Sequence, residues 1–304
     1  MDLSVKIRDK VMQNPVGVAS GTFGYGEEYA PLCNLNEIGA IYTKAITLEP
    51  RVGNQTPRIV ETPSGMLNAI GLANVGVDKF MSEKIPWFRE NVKGCALIPN
   101  IAGTSEKEYC RIVEELEDID LVWGTEINLS CPNVKEGAIH FGTNPKTVEK
   151  ITKNLRKRTK KPLIIKLSPN VTDICEIAKA AETGGADAVS CINTLVGMVI
   201  DTKTCRPFLA NKTGGLSGPA IRPIGLRMVY QVSRRVKIPV IGMGGISTAD
   251  DAIQYLLAGA KAIQVGTFNF VDPQISNTVL EGIKEWMEAR NVETVAKISD
   301  LLEG

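Results

Sequence analysis

Within Asn128-Leu-Ser-Cys-Pro-Asn-Val134 a cysteine stands between two asparagines, where an apolar run ending in Asn128 gives way to a turn. Pro132 supplies no backbone donor and biases Cys131 away from helix, so the chain leaves a strand with the thiol presented at its end. Carboxy-terminal strand ends are where α/β enzymes place their chemistry. A cysteine acting as general base needs only a modest fall in pKa, which a nearby lysine can supply. The bland alternative is a buried structural thiol. A Cys-His nucleophilic pair would have to recruit His140, the chain's one histidine, which lies in the loop sequence H-F-G-T-N-P, itself without an acidic orienter.

Other chemistry-bearing residues recur at similar places. Lys44, Asn68, Asn100, Asn128, Lys166 and the pair Asn193-Thr194 fall at or just after apolar runs. An asparagine offers a donor and an acceptor and suits the edge of a planar, amide-rich ring such as a flavin or a pyrimidine; singly, each also fits a loop cap. A buried lysine can form a Schiff base, so a lyase using Lys44 or Lys166 competes with a redox enzyme. I-P-V-I-G-M-G-G-I-S-T puts Gly242, Gly244 and Gly245 before a helix start near Thr248, and K-A-I-Q-V-G-T-F repeats the pattern with Gly266 and Thr267. Glycines let backbone N–H groups surround an anion, and a helix start adds its positive end. The residues alone do not say whether a bound phosphate belongs to substrate or cofactor.

These residues need a scaffold that brings many strand ends together. Short β-branched runs at 16–19, 41–45, 96–101, 126–128, 163–167, 188–192, 240–242 and 262–265 alternate with amphipathic stretches at 105–117, 145–159, 173–183, 222–235 and 248–258. Strands apolar on both faces imply a parallel sheet. Eight units without G-x-G-x-x-G after the first strand point to an α/β fold of the (β/α)8 TIM-barrel type rather than an open Rossmann sheet. The loops after strands seven and eight are then the usual phosphate site. The chain reads as a single domain over 1–304. Residues 1–13 are expected to form a hairpin closing the barrel's bottom, and 196–217 an excursion above the top; neither carries obvious chemistry.

Composition excludes several classes. Thirty-five basic against 34 acidic residues give no global field for nucleic acid or an anionic membrane. Seven cysteines without a C-x-x-C pair suggest a reducing cytosol and argue against metal or iron-sulfur ligation within the chain. No secretion signal and no apolar run of spanning length is read, which gives a soluble cytoplasmic protein.

The ordered set N-L-S-C-P-N, K-L-S-P-N (166–170), N-T (193–194), G-G-L-S-G-P-A (214–220), G-M-G-G-I (242–246) and Q-V-G-T (264–267) resembles class 1 dihydroorotate dehydrogenase. A-S-G-T-F-G-Y-G (19–26) and N-A-I-G-L-A-N-V-G (68–76) are similar to that family's NAD-linked branch. The resemblance runs from about Asn14 to Thr267. It implies an FMN enzyme of pyrimidine biosynthesis that oxidises (S)-dihydroorotate to orotate. Cys131 would take the proton at C5 while hydride leaves C6 for the flavin, and a loop over roughly 131–142 would close over the substrate. Substrate contacts would come from Lys44, Asn68, Ala69, Ile70, Gly71, Leu72, Asn128, Asn193 and Thr194. FMN contacts would come from Ser20, Lys44, Ala45, Asn100, Asn128, Lys166, Ile192, Gly218, Gly244, Gly245, Gly266 and Thr267, with Lys166 stabilising the charge of the reduced ring. The phosphate is then the cofactor's.

A cysteine base without an amino-terminal membrane helix disfavours the membrane-bound class, whose base is serine. The NAD-linked type implies a homodimer of this chain joined by a second subunit carrying FAD and a 2Fe-2S cluster, a heterotetramer. Fumarate-using enzymes of the same class and dihydropyrimidine dehydrogenase are the nearest alternatives.

Overall fold

The computed structural model describes residues 1–129 and 141–303. Eight parallel strands form its centre: β1 (Val16–Val18), β2 (Ala40–Tyr42), β3 (Ala96–Ile101), β4 (Thr125–Asn128), β5 (Leu163–Lys166), β6 (Ala188–Cys191), β7 (Val240–Met243) and β8 (Ala262–Val265). All eight runs expected from sequence are strands. β3 is interrupted at Pro99, which has no N–H for the ladder; its first half pairs with β2 and its second half, Asn100–Ile101, with β4. Since β8 pairs with β1, the two halves of β3 close the ring, with neighbours in the order 3-2-1-8-7-6-5-4-3.

The outer helices form where apolar positions recur at helical spacing. Glu106–Glu117 buries Tyr109, Cys110, Ile112, Val113 and Leu116, and Ser105 caps it by accepting from the Glu108 amide. Asn144 and Asp173 cap Pro145–Arg156 and Ile174–Thr183 in the same way. Thr248 and Asp251 form a reciprocal capping box on Ala249–Leu257. Ile275–Ala289, not among the stretches singled out above, buries Ile275, Val279, Leu280, Ile283 and Met287 against the ring.

The amino-terminal hairpin pairs Val5–Ile7 with Lys10–Met12. Lys10 Nζ donates to the Val122 carbonyl, Trp123 Nε1 to the Val11 carbonyl, and Arg8 pairs with Asp187 at 3.3 Å. Those partners precede β4 and β6, so the hairpin lies at the amino-terminal end of the barrel, as expected. The excursion after β6 is more than a flap. Leu195–Met198 pairs with Thr213–Ser217, which pairs with Gly65–Asn68 and through it with Ile59–Thr62 in a four-stranded antiparallel sheet. Among the described residues no helix is long and apolar enough to cross a membrane.

Candidate active site

At the carboxy-terminal end of the barrel a cavity of ≈ 250 Å³ is lined by residues from strand ends and from the antiparallel sheet. Of the expected substrate contacts, Lys44, Asn68, Ile70, Gly71, Leu72, Asn128, Asn193 and Thr194 line it. Of the expected FMN contacts, so do Ser20, Ala45, Lys166, Ile192, Gly218, Gly244, Gly245, Gly266 and Thr267. Two expected residues do not. Ala69 is fully buried, its carbonyl accepting from Asn54 Nδ2 at 2.9 Å, so it shapes the segment from behind. Asn100 is also fully buried, and its Nδ2 is directed inward to Glu126 at 2.5 Å. Cys131 and His140 lie outside the described residues, as does most of the expected substrate loop.

Each wall has a local cause. β4 delivers Asn128, whose carbonyl accepts from Tyr109 Oη at 2.9 Å, while the Gly142 amide donates to the Leu129 carbonyl at 3.0 Å. The Asn193 amide reaches toward Asn128 Oδ1 at 3.5 Å, and its Oδ1 accepts from the Thr194 backbone at 2.8 Å. Asn68 Nδ2 donates to the Gly215 carbonyl at 3.3 Å across the antiparallel pair. The excursion therefore positions a wall residue and contributes Ser217, which accepts from Thr267 Oγ1 at 2.8 Å, contrary to the expectation that it carries no chemistry. The reason is long-range strand pairing between 65–68 and 213–217, which local pattern does not announce.

The glycine loops close tightly. Gly245 has φ +71°, and a Cβ there would stand 2.7 Å from the Gly218 carbonyl oxygen. Tyr255 Oη donates to the Gly244 carbonyl at 2.7 Å and holds the loop's other side. The helix at Ala249–Leu257 does not offer its amino terminus freely as expected. Asp251 accepts from Ser247 N, Ser247 Oγ and Thr248 N, and Arg222 pairs with it, so the carboxylate already occupies that end. An anion at this end of the cavity would rest on the loop backbone of Gly244, Gly245 and Gly266.

Two cations face the cavity. Burial first, and then the nearby Arg58 charge, hold Lys44 below the usual lysine range, with Glu28 opposing. Lys166 is 6% exposed and lies 3.8 Å from Glu126 Oε2. Gln264, Met66, Ser217, Met243 and Phe270 also line the cavity and were not singled out from sequence. Gln264 had a readable signal, a polar residue inside an apolar strand.

A closed parallel barrel with a two-lysine, glycine-bounded cavity at its carboxy-terminal end defines an α/β-barrel enzyme with its candidate site at the strand ends. The dihydroorotate dehydrogenase family pattern matches residues 2–287, and the chain belongs to that family. It is 52% identical over 297 residues to a protein of Geotalea uraniireducens, covering 98% of this chain and 97% of the relative. It is 53% identical over 302 residues to one of Geobacter metallireducens, covering 99% and 98%. A protein of Alkaliphilus oremlandii is 52% identical over 299 residues, covering 98% and 97%. All three relatives are named dihydroorotate dehydrogenase B (NAD(+)), catalytic subunit.

Proposed function

We propose that this chain is the FMN-binding catalytic subunit of a cytoplasmic enzyme that oxidises (S)-dihydroorotate to orotate and passes the electrons to NAD through a partner carrying FAD and a 2Fe-2S cluster. The observation that carries the reading is the convergence, in one cavity, of the glycine loops after β7 and β8 with Lys44, Lys166, Asn68, Asn128 and Asn193.

The residues present fit FMN. The Gly244–Gly245 backbone and Gly266 border one end of the cavity and suit a phosphate. Asn128, Gln264 and Lys166 on the wall offer donors and acceptors for the polar edge of a flavin ring. When bound, FMN supplies the two-electron acceptor for the hydride leaving C6. Lys166 places a positive charge against the cavity where negative charge accumulates on reduction. Lys44 supplies a cation for the substrate carboxylate, and the asparagines supply paired donors and acceptors for the pyrimidine edge. Cys131, three residues beyond Asn128, removes the C5 proton as general base.

Anaerobic addition of dihydroorotate to the purified, FMN-loaded chain is expected to bleach the visible flavin absorbance and yield orotate. A chain that takes up no FMN, or a bound flavin that dihydroorotate leaves oxidised, removes the reading.

A further inference from the structure

Glu126 is an acidic residue within β4, fully buried in the barrel interior and absent from the cavity wall. Desolvating a carboxylate is costly unless it is paired and hydrogen-bonded, and filling this volume with Leu or Ile would avoid that cost. Its surroundings are specific. Asn100 Nδ2 donates to Oε2 at 2.5 Å, Ser190 Oγ to Oε1 at 2.7 Å and Gln264 Nε2 to Oε1 at 2.9 Å, while Lys166 Nζ stands 3.8 Å from Oε2. These partners come from β3, β6, β8 and β5. β8 faces β4 across the ring, so the bond from Gln264 crosses the lumen.

With its nitrogen spent on Glu126, Asn100 leaves Oδ1 as a buried acceptor without a hydrogen bond among the described residues. Gln264 lines the cavity with its amide held between Glu126 and the Tyr42 hydroxyl, which burial and then the Glu126 charge keep protonated, the Gln264 hydrogen bond opposing. One carboxylate thus decides how two buried amides are turned and stands against the charge of the cavity's buried lysine.

We propose that Glu126 is a positioning residue, which sets the amide orientation of Gln264 on the cavity wall and of Asn100 behind it and counterbalances Lys166, so that the flavin site keeps one wall geometry and a tempered positive charge. The inference rests on the functional reading above. In Glu126→Gln, a neutral amide of nearly the same shape cannot accept at both ends. At least one of the three donors must turn, and the negative charge 3.8 Å from Lys166 is lost.

The test uses the full chain reconstituted with FMN and reads oxidised-FMN affinity by fluorescence quenching and the midpoint potential of the bound flavin. E126Q is expected to weaken oxidised-FMN binding about tenfold through the misdirected amides. It should also shift the reduced-to-oxidised binding ratio at least about tenfold toward reduced flavin, a rise of about 30 mV for a two-electron couple. Glu126→Asp, which keeps the charge, should return most of the potential. A purely space-filling role would lower melting temperature while leaving the potential unmoved, so a folded E126Q with both readouts within about twofold of wild type overturns the inference. If E126Q does not fold, charge balance requires the double variant E126Q/K166M to recover the native circular dichroism, and a double variant as unfolded as the single overturns it too. A wild-type chain that takes up no FMN sinks the functional reading and this inference together, whereas a loaded E126Q with both readouts unmoved sinks the inference alone.

Discussion

Lys44 is the cation whose titration should be visible in binding. Burial and Arg58 depress its pKa, so the ligand-free site loses its positive charge at a lower pH than an ordinary lysine. A bound carboxylate favours the protonated form, so binding takes up a proton in the window between the free and bound pKa values. Orotate affinity is therefore expected to fall as pH rises through the depressed pKa of Lys44. Replacing Arg58 with Gln removes the like charge and should move that fall to higher pH, as calorimetric titration of orotate at several pH values would reveal; an unmoved curve would detach Arg58 from the site. Lys44→Met should weaken orotate on the order of 10- to 100-fold, the range for a hydrogen bond to a charged group, and remove the pH dependence. For the proton-abstracting step, Cys131→Ala should leave FMN bound and cost on the order of 100- to 10,000-fold in turnover. Cys131→Ser should keep a weak activity that grows at high pH, because an alcohol ionises far less readily than a thiol; full activity in the alanine variant would dismiss Cys131 as base.

At the scale of elements, the site depends on loops that only particular backbones can make. Ala at position 245 would have to adopt a positive φ, at a cost of roughly 1–2 kcal/mol, with its Cβ pressed on the Gly218 carbonyl. Gly245→Ala is expected to lower the urea midpoint and, by shifting the loop backbone, to reduce FMN affinity further than the loss of stability accounts for. Equal FMN affinity in folded protein would mean the loop holds nothing. These glycine loops and all eight strands were legible because parallel strands buried on both faces read as short β-branched runs ended by turn residues. The sheet joining Gly65–Asn68 to Thr213–Ser217 was not, since its partners are distant in sequence and its strands are glycine-rich and half-exposed. Glu126 and Gln264 were visible as letters, yet only the closed ring shows that they meet across it.

At the scale of the whole molecule, the barrel gathers its cavity at one end, and most of the residues proposed to contact substrate and cofactor line that same cavity from different strands. Electrons delivered there by dihydroorotate must leave through another surface or another protein for the cycle to turn again. The relatives are named as the catalytic subunit of an NAD(+) enzyme, which puts the NAD reaction in an assembly. The first barrel strand is followed by S-G-T-F-G-Y-G, without the glycine spacing that seats a dinucleotide on a helix start. The isolated chain should therefore be reduced by dihydroorotate and not by NADH, and adding the partner subunit, proposed to carry FAD and a 2Fe-2S cluster, should let NADH reduce the same flavin. Anaerobic absorbance with each reductant separates the cases, and native mass of the reconstituted complex tests the two-plus-two assembly. Rapid bleaching of the isolated chain by NADH would place the whole NAD half-reaction on this barrel and remove the need for a partner.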